Sequence, residues 1–271
     1  MAPDLRSQPC DEVIARVQSA LDTKFDPATE VRKRRSVGFQ TDRNTWVRIE
    51  VRSLERIDGQ GWNGVECAAV LRGVAKPDWV QGLSWVDAER GVAWRADETE
   101  FIADRPIKPG GILTVEPELD ESWWATLNAS LTALAGQATT RLAVPQGRVT
   151  ERIERVFPGQ VGTVVDEWAP AHGDLAWANL TAPDCFLLDW EDWGMAPRGY
   201  DAACLWRESL AVPALAERVR RERRIELDSR SGKLAQLYVC AGIVGATADY
   251  AGPHLEPAKA AAVELLSDLR A

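Results

Sequence analysis

Histidine is scarce in this chain, since only His172 and His254 occur among 271 residues. A metal-dependent hydrolase built on histidine ligands would need more, because such sites commonly use two or three. No Gly-x-Ser-x-Gly segment is present either, and its absence argues against a serine hydrolase of the common α/β type. Two large classes of enzyme are therefore disfavoured before any element is assigned.

Cysteines and long apolar runs are also few. The five cysteines are widely spaced, odd in number and free of any Cys-x-x-Cys pair, a pattern that favours reduced thiols over a disulfide framework or a zinc site. The apolar stretch at residues 237–248 is too short and interrupted to span a bilayer. The first twelve residues contain no apolar run of the kind that a secretory signal needs. We expect a cytoplasmic protein with no membrane partner.

Negative charge prevails, with a net charge of −9 and a pI near 5.0. This balance argues against nucleic acid as the main partner. Acid-lined clefts concentrate cations, so a cationic small substrate is one interpretation and a solvated acidic surface is the plainer one. The length suits one domain of two lobes or two small domains, in a monomer or a homodimer.

Polar residues of the kinds that catalyse reactions or bind metal ions are concentrated between His172 and Asp201. Asp174 is followed by Asn179 five residues later and, after a turn and an apolar run, by Asp189 another ten residues on. Phosphoryl transfer needs one carboxylate to orient the attacking hydroxyl, and oxygen ligands that hold Mg²⁺ against the nucleotide phosphates. The spacing therefore predicts a phosphotransferase site, against the plainer interpretation of a polar surface loop before a buried strand.

This block resembles the aminoglycoside phosphotransferase family, which shares the protein-kinase-like fold with choline and other small-alcohol kinases. The matching segments are His172-Gly173-Asp174, Asn179, Leu188-Asp189-Trp190-Glu191, Pro197 and Asp201-Ala202-Ala203. The resemblance implies that Asp174 is the catalytic base, that Asn179 and Asp189 are Mg²⁺ ligands, and that Asp201 braces the loop of the catalytic Asp. His172 is expected to fix that loop through hydrogen bonds. Ala176 departs from the family pattern, where a polar residue is common, and this indicates a change in local support.

The fold implied by the resemblance is an α/β (α+β) protein-kinase-like fold of two lobes. Residues 1–97 would form a small N-terminal, nucleotide-binding lobe with an antiparallel sheet, and residues 98–271 a mostly helical C-terminal lobe for catalysis and substrate binding. Hydrophobic periodicity predicts helices and hairpins in matching order. The helices are expected over residues 11–25, 61–75, 120–135, 148–157, 203–224, 233–250 and 257–270, and the hairpins over 36–52 and 80–96.

The nucleotide phosphates need a cation in the first lobe. Kinase-like folds place a Lys on the third strand, paired with a Glu on the next helix. The strand ending at Arg52 has no Lys, so Arg48, or less favourably Arg52, is the candidate, with Glu66 as its partner. Arginine is not equivalent to lysine, because its planar fork binds phosphate with two donors and needs more room. The other interpretation is a solvated strand face of alternating charges. The preceding hairpin contains one glycine, Gly38, whereas a glycine-rich phosphate loop would contain more.

Glu191, Asp192 and Trp193 follow the second metal ligand and are the candidate substrate-binding residues. The Trp193 ring would either stack on a substrate or pack in the core. The predicted activity is transfer of the γ-phosphate of ATP or GTP to a small-molecule hydroxyl, with Mg²⁺ as cofactor. The resemblance implies an antibiotic of the aminoglycoside type as acceptor and resistance as the outcome. Another small alcohol, a sugar or a nucleoside fits the same motif, and a catalytically inactive kinase-like binding module is the competing class.

Overall fold

The computed structural model describes residues 3–57, 60–247 and 251–270. The chain divides into two compact units, the first comprising the residues up to Val70 and Pro77–Ala103, the second Leu71–Lys76 and the residues from Asp104 onward. Antiparallel strands dominate the first unit and helices the second, so the predicted mixed α/β fold class is confirmed. Two residues at the start of the chain and the last three of the helix predicted over 233–250 lie outside the described residues.

The first unit is built on a five-stranded antiparallel sheet of order β1-β2-β3-β5-β4. Its elements are α1 (Asp11–Leu21), β1 (Val31–Arg32), β2 (Ser36–Gln40), β3 (Thr45–Ser53), α2 (Gly64–Cys67), β4 (Trp79–Asp87) and β5 (Val92–Glu100). Both predicted hairpins are present. The helix predicted over 61–75 is shorter than expected, because a 3₁₀ turn at Ala68–Val70 follows α2 and Gly73 has a positive φ of 72°.

The two faces of β3 have opposite character, as the alternation of its residues predicts. Val47, Ile49 and Val51 are fully buried and share one core with Val13 and Val17 of α1. Burial of each such side chain contributes about 1.5–3 kcal/mol. The other face of β3 carries the charged side chains of Arg48, Glu50 and Arg52.

The second unit combines helices with two short antiparallel ladders, β6 with β8 and β7 with β9. Its elements are β6 (Arg105–Pro106), α3 (Glu121–Ala135), α4 (Gln146–Val156), β7 (Trp168–Ala171), β8 (Thr181–Ala182), β9 (Gly194–Pro197), α5 (Tyr200–Glu208), α6 (Pro213–Glu222), α7 (Arg224–Leu227), α8 (Arg230–Val244) and α9 (Leu255–Arg270). Helix α8 is buried along most of its length and packs against α4, α5 and α9. None of the described helices combines the length and apolarity that crossing a bilayer requires.

Helix α3 supports the segment of the predicted catalytic residues. Asp120 caps its N-terminus by accepting a hydrogen bond from the Trp123 backbone at 2.8 Å, which satisfies one of the free N–H groups of the first turn. Trp123 and Trp124 then contact Trp177, with ring centroids 6.0 and 6.3 Å apart. The Trp177 ring is 1% exposed, so the turn that contains Asn179 is anchored in the core.

Candidate active site

A tight turn brings Asn179 and Asp189 together. The Leu188 N–H donates to the Asn179 carbonyl at 2.8 Å, and Leu180 and Leu187 form an antiparallel bridge. Thr181 closes the turn, since its hydroxyl donates to the Asp184 carbonyl at 2.6 Å and accepts from the Phe186 N–H at 2.9 Å. Residues ten apart in the sequence are thereby held next to each other, as the predicted metal site requires.

His172 links the two segments of the site through both ring nitrogens. Its Nδ1 accepts from the Asp174 N–H at 3.3 Å, so Nε2 carries the proton and donates to the Leu188 carbonyl at 2.8 Å. The ring is fully buried and lies 4.7 Å from the Trp190 ring, centroid to centroid. A buried imidazole with both ring nitrogens hydrogen-bonded has a positioning role.

Asp201, in the first turn of α5, binds the backbone ahead of Asp174. Its carboxylate accepts from the His172 N–H at 2.6 Å and from the Gly173 N–H at 3.1 Å. Burial raises the pKa of this carboxyl, although His172 and the two N–H donors oppose the rise. A buried carboxylate that receives two backbone hydrogen bonds fixes the conformation of residues 172–179, called here the catalytic loop.

Asp174 lies on the solvent side of the catalytic loop beside other acids. Loss of surrounding water raises the pKa of its carboxyl, and the negative charges of Asp189 and Asp192 raise that pKa further. His172 and a hydrogen bond from Asn179 act in the opposite direction. Asn179 Nδ2 donates to the Asp174 backbone carbonyl at 2.8 Å and to the Asp174 carboxylate oxygen Oδ2 at 3.4 Å. The oxygen of the same amide, Asn179 Oδ1, is the atom that the predicted metal site would use.

Asp189 adopts a backbone conformation that few residues other than glycine tolerate, with φ of 65°, and such positions recur at functional sites.

The oxygen donors of Asn179 and Asp189 are of the kind that Mg²⁺ binds, because that ion takes hard oxygen ligands from one or two carboxylates and from substrate phosphates. Among the described residues, no group of three or more His, Cys, Asp or Glu side chains is arranged to hold a metal ion alone. A site in which the Asn179 amide and the Asp189 carboxylate would share the ion with substrate phosphates is of a different kind.

The candidate substrate residues differ in exposure. Asp192 is exposed, Glu191 is half-buried, and the Trp193 ring is 2% exposed beneath the Arg141 guanidinium, 5.2 Å from its centroid. For Trp193 this placement favours packing over stacking on a substrate. Arg141 was not among the sequence candidates, because it stands in an irregular segment about fifty residues earlier.

The charged face of the first unit contains Arg48 on β3, opposite Asp97 of β5. Glu66 accepts from Arg95 Nη2 at 3.0 Å, and Arg95 also binds both oxygens of Asp97 at 2.6 Å. Arg95 is a partner of Glu66 that sequence reasoning missed. Its signal was present, since Arg95 and Asp97 stand two residues apart and so share one strand face.

The other two residues considered for phosphate contact have structural partners. Arg52 donates to Glu50 at 2.6 Å and lies over the Trp62 ring at 5.6 Å. At Gly38 a Cβ would lie 2.3 Å from the Trp46 ring, so this glycine makes room for an indole. The assignment of Arg48 to the phosphates remains a prediction.

Comparison of the whole chain with known proteins yields solved structures only. No protein-family model matches the sequence, and no curated protein does. The aminoglycoside phosphotransferase APH(4)-Ia superposes with a TM-score of 0.57 at 11% identity, covering 95% of this chain and 98% of that one. A choline/ethanolamine kinase family protein from Mesorhizobium loti gives 0.55 at 14% identity, covering 96% and 98%. Amicoumacin kinase hAmiN, in complex with AMP-PNP, Ca²⁺ and Ami, gives 0.52 at 12% identity, covering 96% and 93%.

The chain has the aminoglycoside phosphotransferase-like, protein-kinase-like fold. In this kinase-like fold the residues that the sequence predicts for the site separate into two groups. His172, Asp174, Asn179, Asp189 and Asp201 come together in the second unit, with Glu191 and Asp192 beside them. Arg48 and Glu66 belong to the first unit, on its charged sheet face and on the helix that follows β3.

Proposed function

We propose that the protein transfers the γ-phosphoryl group of ATP or GTP to a hydroxyl of a small molecule. One observation carries this proposal: hydrogen bonds connect the backbone segments of Asp174, Asn179 and Asp189. The Leu188 N–H binds the Asn179 carbonyl, and the His172 ring binds both the Asp174 N–H and the Leu188 carbonyl. A plain surface loop would not need a fully buried histidine and a buried carboxylate to support it. The kinase names of the structural neighbours agree with the proposal.

Asp174 acts as the base that orients the acceptor hydroxyl and takes its proton. Its side chain is exposed on a loop whose backbone is fixed by Asp201 and His172, so a bound hydroxyl could reach its carboxylate. Asn179 fixes the loop backbone of Asp174 by the 2.8 Å bond to its carbonyl. Positioning of this kind supplies most of the rate in phosphoryl transfer, where the protein has little covalent chemistry to perform.

Asn179 Oδ1 and the Asp189 carboxylate are the residues that would hold Mg²⁺. When bound, the ion neutralises charge on the nucleotide phosphates and on the transferring group. Arg48 of β3 remains our candidate for contacting the phosphates, with Glu66 of α2 as its proposed partner. The proposed roles of the lobes are nucleotide binding for residues 1–97 and catalysis with substrate binding for residues 98–271.

An antibiotic of the aminoglycoside type is our first candidate for the acceptor. Its phosphorylation in the cytoplasm would confer resistance to the antibiotic. The exposed Asp192 and the net charge of −9 would suit a cationic molecule. Among the neighbours, one is an aminoglycoside phosphotransferase and another is an amicoumacin kinase. A further neighbour belongs to the choline/ethanolamine kinase family, so an amino alcohol is the second candidate.

Asp174→Asn tests the proposal directly. The amide keeps the size of the side chain but cannot take the proton, so kcat should fall by about 10²–10⁴-fold, the usual contribution of a general base. Nucleotide binding should be unchanged, since the proposed metal ligands remain. Nucleotide consumption with a panel of aminoglycosides and amino alcohols measures the first quantity, and titration calorimetry with a non-hydrolysable ATP analogue measures the second.

Asp228→Asn is the matched control, because Asp228 is an exposed acid of the same unit that pairs with Arg224 at 3.7 Å. Its turnover should equal that of the unchanged protein. If the Asp174→Asn variant retains full turnover, Asp174 is not the base. If the unchanged protein binds nucleotide without consuming it with any acceptor, the inactive binding module is favoured.

A further inference from the structure

Arg141 is a buried arginine in the segment between α3 and α4, 9% exposed. Its Nε donates to the Trp193 carbonyl at 2.9 Å, and its Nη2 donates to the Glu191 carbonyl at 3.0 Å. Its guanidinium also lies 5.2 Å from the centroid of the Trp193 ring. One side chain therefore holds residues 189–193, called here the acidic loop, by two backbone carbonyls and a ring.

The backbone around Arg141 is joined to the end of the same loop. The Met195 N–H donates to the Arg141 carbonyl at 2.8 Å, and the Ala143 N–H donates to the Met195 carbonyl at 3.0 Å. The approach is close enough that a Cβ at Gly194 would lie 2.7 Å from the Arg141 carbonyl carbon. The position of the guanidinium is thus fixed by main-chain pairing.

The acidic loop in turn faces the catalytic loop. Asp192 stands between the two anchored carbonyls, and a Cβ at Gly173 would lie 2.5 Å from the Asp192 carbonyl oxygen. Asp189 precedes the first anchored carbonyl by two residues and has a positive φ of 65°. The fixed Glu191 carbonyl two residues later limits the conformations open to the Asp189 backbone.

We propose that Arg141 is a positioning residue that sets the Asp189 carboxylate for the divalent cation. This inference rests on the proposed phosphotransferase function. The guanidinium is suited to the task because its planar fork presents several donors in fixed directions, whereas a lysine ammonium is a point charge on a flexible stem. The charge of Arg141 alone would not explain two directed bonds to carbonyls two residues apart.

Arg141→Lys tests the inference, because it keeps the charge and loses the fork. Loss of support around a metal ligand typically lowers metal affinity about 10–100-fold. In the presence of a non-hydrolysable ATP analogue, the Mg²⁺ concentration for half-maximal nucleotide binding should rise at least about tenfold. Saturating Mg²⁺ should restore both nucleotide binding and kcat. A merely structural role would instead lower the active fraction and leave the half-saturating Mg²⁺ concentration unchanged.

Arg152→Lys is the matched control, since Arg152 is a half-buried arginine of α4 that packs on the Tyr238 ring at 4.1 Å. It should leave the Mg²⁺ requirement unchanged. Trp193→Phe keeps both backbone carbonyls and alters only the ring under Arg141. It should raise the half-saturating Mg²⁺ concentration by a smaller factor than Arg141→Lys does. This variant provides the test if Arg141→Lys does not fold.

An unchanged Mg²⁺ requirement in folded Arg141→Lys, or in Trp193→Phe where the lysine variant does not fold, would overturn the inference and leave the proposed function intact. Failure of the unchanged protein to bind nucleotide in a Mg²⁺-dependent way would overturn the proposed function, and this inference with it.

Discussion

Gly173 illustrates how a single residue shapes the proposed site. Its φ is 87°, and a Cβ would lie 2.5 Å from the Asp192 carbonyl oxygen and 3.2 Å from the Ala143 Cβ. The residue thus combines a left-handed backbone with a close approach between the catalytic and acidic loops. Either requirement alone favours glycine, and together they exclude a larger side chain.

Gly173→Ala should destabilise the second unit and lower kcat. The left-handed conformation costs an alanine about 1–2 kcal/mol, and relief of the contact with Asp192 must move one of the two loops. Chemical denaturation measures the change in free energy of unfolding, and steady-state kinetics measures kcat. We expect kcat to fall by more than the folded fraction does.

Gly159→Ala is the matched control, since Gly159 has φ of 65° and a Cβ there would lie more than 4 Å from every described residue beyond its chain neighbours. It should show the backbone cost without loss of kcat. Equal effects of the two substitutions on kcat would contradict a close contact between the loops.

The sequence identified the residues whose chemistry is visible in their type and spacing. Asp174, Asn179 and Asp189 could be selected because the motif is local and the turn between them has its own signals. Arg141 could not, because the two carbonyls that it binds lie 50 and 52 residues away. A buried arginine that binds backbone carbonyls leaves no periodic trace in the sequence.

At the scale of elements, Glu98 of β5 accepts hydrogen bonds from residues of the two neighbouring strands, β3 and β4. Its carboxylate is fully buried and accepts from Arg43 Nη2 at 2.9 Å, from Thr45 Oγ1 at 2.5 Å and from Gln81 Nε2 at 2.8 Å. Thr45 begins β3 and Gln81 lies on β4, while Glu98 itself is on β5. A buried charge is tolerated here because each neighbouring element supplies a donor.

Glu98→Ala should lower the free energy of unfolding of the first unit by about 1–3 kcal/mol, because the side chains of Thr45 and Gln81 lose their acceptor, whereas the Arg43 guanidinium is 42% exposed and can be hydrated. Glu98→Gln should cost less, because its amide oxygen still accepts hydrogen bonds. Urea denaturation followed by tryptophan fluorescence measures both changes. Glu89→Ala, at an exposed position in the turn between β4 and β5, should change stability by less than about 0.5 kcal/mol. Equal stabilities of the Glu98→Ala and Glu89→Ala variants would contradict the account.

The elements themselves were largely predictable, but their pairing was not. Alternation in β3 and the turn glycine Gly91 gave both hairpins, and apolar spacing gave α3. The pairing of β3 with β5, which places Arg48 opposite Asp97, joins strands from different hairpins. Periodicity describes one segment at a time, so it does not reveal which strands become neighbours.

At the scale of the whole molecule, the fold persists at very low identity. Structures at 11–14% identity cover more than nine-tenths of the chain, while no family model matches it. The fold is therefore shared although most side chains differ. The acceptor is decided by other residues, which a likeness of fold does not identify.

The central claim is that Asn179 and Asp189 hold a divalent cation needed for nucleotide binding, and calorimetric titration with a non-hydrolysable ATP analogue tests it most directly. For the unchanged protein, removal of Mg²⁺ should weaken binding at least about tenfold, and Asp189→Asn should abolish this dependence on Mg²⁺. Equal affinity with and without Mg²⁺, or an Asp189→Asn variant that keeps the full Mg²⁺ dependence, would contradict the account.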